Sequence, residues 1–130
     1  MIGALFVWLA VIRFYDIKLN WTEVTEQWQA FLIFCVVSPV IEEVLFRGYC
    51  QRYLASSKMG QKSWHWISAA NLITTALFAL THAIMRDGIT ALLVLLPSLY
   101  LGMIKDRTQS LVLCILVHAF WNMGWFIVVY

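Results

Sequence analysis

Glu42, Glu43 and Arg47 stand inside a stretch that otherwise reads as apolar helix, and they narrow what this chain can fold into more than any other feature. The residues before them run Phe31-Leu32-Ile33-Phe34-Cys35-Val36-Val37-Ser38-Pro39-Val40-Ile41. A charge at the centre of a bilayer costs about 2.5–3.5 kcal/mol even on the lower insertion scales, so such a segment needs an internal partner for it. At about 3.6 residues per turn, Glu43 and Arg47 form an i,i+4 pair with the acid on the N-terminal side, the better orientation for an ion pair. Glu42 points about 100° away from Glu43 and about 140° from Arg47. On this reading Glu43 and Arg47 neutralise each other, and Glu42 is left to do chemistry. The alternative is that all three mark the watery end of a membrane helix, where charge is tolerated.

Composition favours the membrane. The 130 residues are 62% hydrophobic and 12% charged. A soluble domain is nearer half apolar and a quarter charged. The chain therefore reads as an integral membrane protein of one domain, residues 1–130, embedded in a lipid bilayer. Its net charge of +2 and the lack of a basic run argue against a nucleic-acid partner. Cys35, Cys50 and Cys114 lack metal or redox spacing and read as small apolar residues. The first twelve residues have no basic leader region and no cleavage site, so they do not read as a signal peptide.

Periodicity and breakers predict an all-α, polytopic membrane helix bundle with four spans and a short N-terminal fifth. Residues 1–12 would reach only about 18 Å as helix, short of a ~30 Å hydrocarbon core. Residues 16–29 read as an interfacial loop or short helix, with Thr22 or Thr25 as cap. A long helix runs from residues 25–30 to about residue 55, kinked at Pro39 one turn before Glu42. Residues 56–63 form a turn, 64–83 the next span, 85–88 a tight turn, 89–104 a span containing Pro97, 105–109 a loop, and 110–130 the last span. Arg47, Arg52, Lys58 and Lys62 crowd one connection, and Lys105-Asp106-Arg107 gives the next one on that side a positive excess. The positive-inside rule puts both in the cytoplasm.

Three further polar side chains interrupt apolar spans. His82 lies near the end of its span, and His118 and Asn122, four apart, share a helix face. By helix rise Glu42 and His82 lie about 20 and 27 Å above the cytoplasmic turn, while His118 is only about 12 Å from its own loop. Taken singly, a histidine or asparagine here is helix–helix glue. A carboxylate, two imidazoles and an amide together are what amide hydrolysis needs. Glutamate can take a proton from water, histidines can bind Zn²⁺ through a neutral nitrogen, and an asparagine can donate to an oxyanion.

Glu42-Glu43-x-x-x-Arg47, Phe78-x-x-x-His82 and His118-x-x-x-Asn122 occur in that order, each on its own helix. Together with Phe46-Arg47-Gly48 and Pro39-x-x-Glu42, this set resembles the CAAX-processing and bacteriocin-processing (Abi or Rce1-like) intramembrane proteases, over a motif core of about residues 31–125. The resemblance implies a multi-pass membrane endopeptidase acting on a membrane-associated or lipidated protein or peptide. It implies that Glu42 activates water, that Glu43 and Arg47 support it, and that His82, His118 and Asn122 complete the catalytic set. It leaves two mechanisms open. In the metal reading, His82 and His118 are ligands to Zn²⁺. In the glutamate reading, His82 assists Glu42 while His118 and Asn122 stabilise the oxyanion. The small size of the chain points to a dedicated processor in a prokaryotic cell membrane. Two other classes compete: a non-catalytic immunity or scaffold protein of the same fold, and an ion transporter using the same polar groups. Retention of every motif residue argues against the first, and the lack of a symmetry-related second set of polar breaks against the second.

Overall fold

The computed structural model describes residues 26–85 and 92–129. They are mostly helical: α1 (Trp28–Ala55), α2 (Ala69–Met85), α3 (Leu95–Thr108) and α4 (Leu111–Val129), with two short strands, β1 (Ser63–Trp64) and β2 (Ile67–Ser68), between α1 and α2. The N-terminal segment, its caps and most of the turn expected at 85–88 lie outside the described residues. Among the described residues one helix, α1, is long and apolar enough to cross a membrane, with 28 residues and a mean hydropathy of 1.8. Helices α2 and α4 are apolar but shorter. The chain packs as two compact units, one of residues 26–41 and 115–129, the other Glu42–Cys114.

In the Glu42–Cys114 unit, α1 buries Glu43, Arg47 and Gln51, spaced by four. An α-helix overshoots by about 40° at each step of four, so this stripe would swing about 80° off its face. The helix does not let it swing. From Val44 to Gln51 it is wound as a π-helix, whose i→i+5 bonds hold more residues per turn. Arg47 and Gln51 both reach one neighbour, α3, while Glu43 pairs with Arg47. Arg47 donates to the Ser98 carbonyl oxygen and hydroxyl at 2.8 and 2.7 Å. One turn on, Gln51 donates to Gly102 O at 3.0 Å and Asp106 Oδ1 at 2.7 Å. The rungs ascend together, so α1 and α3 run in the same direction and end on the same side of the unit. The two connections read as cytoplasmic therefore share one end.

Helix α2 packs antiparallel to α3. The Asn71 carboxamide donates to Leu99 O at 3.0 Å and accepts from Thr75 Oγ1 at 3.2 Å, while Ser98 Oγ donates to Thr75 Oγ1 at 3.3 Å. Gly102 makes this approach possible, because a Cβ there would collide with the Asn71 side chain. Gly102→Ala should therefore destabilise the protein by about 1–3 kcal/mol through overpacking, although alanine is the better helix former. Thermal unfolding in detergent checks this, and an unchanged midpoint would contradict the close contact.

Two expected boundaries differ. Residues 63–68, read partly as helix, form a hairpin with register Ser63↔Ser68 and Trp64↔Ile67. Main-chain bonds from Ala69 N to Lys62 O (2.8 Å) and Ala70 N to Gly60 O (3.2 Å) fasten the start of α2 to the loop before it. Ser68 Oγ accepts from Asn71 N at 3.0 Å and so caps α2, which starts at Ala69 rather than at residue 64. The run 105–109, read as a loop, is instead the last turn of α3. Lys105 and Arg107 suit a helix C-terminus, Lys105 Nζ donates to Gln109 O at 2.9 Å, and Asp106 is held by Gln51 and Ser68. Gln109 then ends the helix at φ 56°. Pro97 falls in the first turn of α3, where its missing N–H leaves no gap in the ladder.

In the other unit, α1 and α4 run antiparallel. Phe126 stacks edge-on against Phe31 at 5.4 Å and lies 6.3 Å from Phe34.

Candidate active site

The first motif is built around a fully buried ion pair. Arg47 Nη1 lies 3.0 Å from Glu43 Oε1, and both side chains are 0% exposed. Neither charge of the pair reaches the protein surface. A buried pair is helped by further hydrogen bonds to its remaining polar atoms. Arg47 Nε is buried without a hydrogen-bond partner among the described residues, while Ser98 supplies such bonds for Nη2. From there the network continues through Thr75 to Asn71. Glu42, next along the chain, is half-buried. The two adjacent carboxylates thus have different surroundings.

The second motif meets the first through Phe78. Its ring is 3% exposed, packs edge-on against Phe46 at 4.9 Å, and lies 5.0 Å beneath the Arg47 guanidinium. Its carbonyl oxygen is 3.0 Å from His82 Nδ1, and its ring is 4.4 Å from the imidazole. A carbonyl can only accept, so this contact selects the tautomer with the proton on Nδ1 and the lone pair on Nε2. His82 is half-buried. The spacing Phe78-x-x-x-His82 is therefore one turn of α2 in which the phenylalanine anchors to Arg47 and orients the histidine.

The third motif lies in the other unit. His118 is 8% exposed. Asn122 Nδ2 donates to Phe34 O at 2.9 Å, and α1 explains why. Residues Ile33–Val37 are also π-wound, and the Ser38 N–H bonds to Ile33 O. The π partner of Phe34 O would be Pro39, which has no N–H. Asn122 supplies a donor where the winding and the proline withdraw the main-chain ones. We expect Asn122→Leu to destabilise the protein by about 0.5–1.5 kcal/mol. Asn122→Asp should destabilise it further at neutral pH, because an acceptor would then face the carbonyl. Unfolding midpoints of the two variants check the order.

The structure thus links Glu43, Phe46, Arg47, Phe78 and His82 in one unit, with Glu42 beside them in the chain, and gives Asn122 a partner in the other. It adds Gln51, Asn71, Thr75, Ser98 and Asp106, which sequence reading missed. The one available signal was the spacing of four in Ser98, Gly102 and Asp106, matching that in Glu43, Arg47 and Gln51. Among the described residues no three His, Cys, Asp or Glu side chains converge to hold a metal ion.

In an apolar, helical chain these residues form a buried carboxylate–guanidinium network with an oriented histidine beside it. The chain belongs to the type II CAAX prenyl endopeptidase Rce1-like family, whose model matches residues 24–124. That family consists of membrane-bound proteases acting on membrane-associated proteins. Comparison with curated proteins and with solved structures returned no match.

Proposed function

We propose that this chain is a multi-pass intramembrane endopeptidase that hydrolyses a peptide bond in a membrane-associated or lipidated protein, with Glu42 activating water. The observation that carries the reading is the Arg47–Phe78–His82 contact, which joins two motifs of the family and orients the imidazole. The polarity of the unit supports the membrane setting. Leu45, Tyr49 and Tyr53 face outward on α1 while Glu43, Arg47 and Gln51 face inward, the inverse of a soluble helix. On this reading α1 to α4 are the four spans, the shorter ones completed by flanking residues at the interface.

Glu42 takes a proton from a water molecule, and the hydroxide oxygen bonds to the scissile carbonyl carbon. Negative charge develops on the former carbonyl oxygen. His118 and Asn122 donate to it; an asparagine has two Nδ2 protons, so one remains after the bond to Phe34 O. Collapse of the tetrahedral intermediate breaks the C–N bond, and the proton held by Glu42 passes to the leaving nitrogen, assisted by His82. Glu43 and Arg47 fix the helix that carries Glu42.

The test uses purified protein in neutral detergent and CAAX-type peptides with and without a prenyl group, with products read by mass spectrometry. Cleavage of the prenylated peptide should be lost with His82→Ala. It should survive dialysis against a strong chelator. Zinc bound at about one per chain and lost together with activity would replace the glutamate mechanism by the metal one. No cleavage of any lipidated peptide would move the protein to a non-catalytic role.

A further inference from the structure

At the end of the Glu42–Cys114 unit where α1 and α3 terminate, an open cleft of about 390 Å³ is lined by Gln61, Ser63, His65, Trp66, Asp106 and Arg107, among others. The catalytic proposal uses none of these side chains. Three observations bear on what the cleft holds.

The first is charge. Arg52, Lys58, Lys62, Lys105 and Arg107 surround this end against one acid, Asp106. Asp106 already gives its two oxygens to Gln51 and Ser68, at 2.7 Å each. Among the described residues the one ion pair is Glu43–Arg47, so the cations at this end have no acidic partner within the described chain. The second is the Arg107 guanidinium, which stacks on the Trp66 ring at 3.7 Å. Stacking fixes the plane of the fork and leaves its edge N–H groups to reach into the cleft, the arrangement that suits two oxygens of one phosphate.

The third is strain. The hairpin closes with the two residues His65 and Trp66, and His65 is held at φ 55°. That position in a two-residue hairpin favours glycine. A strained residue kept where glycine would sit without penalty points to use of its side chain. The imidazole is steadied edge-on by Trp64 at 5.1 Å and lines the same cleft as Arg107. Trp64 and Trp66 are themselves 77% and 58% exposed, as residues at the headgroup level of a bilayer are.

We propose that this cleft binds the phosphate of an anionic phospholipid headgroup, with Arg107 as the bidentate donor, His65 as the second donor and Trp66 as the platform. Bound there, the lipid holds the hairpin end of the unit at the anionic leaflet. The proposal rests on the membrane reading above and not on the catalytic one.

The experiment titrates protein in neutral detergent with phosphatidylglycerol or phosphatidylcholine, counts bound lipid by native mass spectrometry, and follows the unfolding midpoint. Phosphatidylglycerol should bind preferentially and raise the midpoint. Arg107→Ala should weaken that binding by about tenfold, with Arg107→Lys intermediate because it keeps charge without the fork. His65→Gly should be at least as stable as the parent without lipid yet bind phosphatidylglycerol more weakly. Equal binding of the two lipids, or unchanged binding in both Arg107→Ala and His65→Gly, overturns the proposal. So does inorganic phosphate matching phosphatidylglycerol in its effect, which would make this a site for the free anion. A protein that stays dispersed without detergent overturns the membrane reading and this proposal together.

Discussion

Arg47→Met should lower the unfolding free energy by about 3–5 kcal/mol, among the largest losses that one substitution can produce here. Methionine fills most of the volume, so the loss is electrostatic. It strips the guanidinium from a Glu43 carboxylate with no exposed surface, removes both hydrogen bonds to Ser98, and takes away the cation above Phe78. The double variant Glu43→Gln/Arg47→Met should recover a large part of this loss, since it no longer buries a lone charge. Thermal or denaturant unfolding in detergent, measured on parent, single and double variants, decides it. A double variant no more stable than Arg47→Met would mean that packing, not charge, is what Arg47 contributes.

Glu42→Gln should give the opposite pattern: cleavage falling by about 10²–10⁴-fold with the fold retained. The side chain is half-buried and glutamine matches its shape, so stability should change by less than about 1 kcal/mol. What glutamine lacks is a carboxylate to accept a proton from water. The rate of peptide cleavage and the unfolding midpoint, taken on the same preparation, test the contrast. Full activity in Glu42→Gln would remove it from the chemistry. Loss of rate with the fold retained would mean that two adjacent glutamates have parted in role, one for stability and one for rate, because successive residues on a helix face about 100° apart.

The Glu43–Arg47 pair was legible from spacing alone: an acid four residues before an arginine in an apolar run predicts the pair that forms. The limits of α1 could be read for the same reason, as could the short, serine- and glycine-bearing turn after it. Ser98, Thr75 and Asn71 could not be picked out. Each is a small polar residue in an apolar helix, and only the pairing of α2 with α3 makes them a chain from Arg47. The hairpin was hidden because Trp64-His65-Trp66-Ile67 offers none of the glycine or asparagine that usually marks a two-residue turn. The last turn of α3 was hidden because Lys105-Asp106-Arg107 has loop composition, and its one acid is satisfied by residues far away in the chain, Gln51 and Ser68. Asn122 was read as a donor to substrate; its bond to Phe34 O depends on a π-turn that no local pattern announces.

The π-wound stretch Val44–Gln51 also bears on how this chain can change in length. Deleting one residue from an ordinary helix rotates everything downstream by about 100°. An i→i+5 rung encloses one residue more than an i→i+4 rung. A residue lost from inside it lets the winding revert to α without losing the hydrogen bond, and the helix beyond keeps its facing. This part of α1 is where the helix can shorten by one residue and still present Gln51 to Asp106.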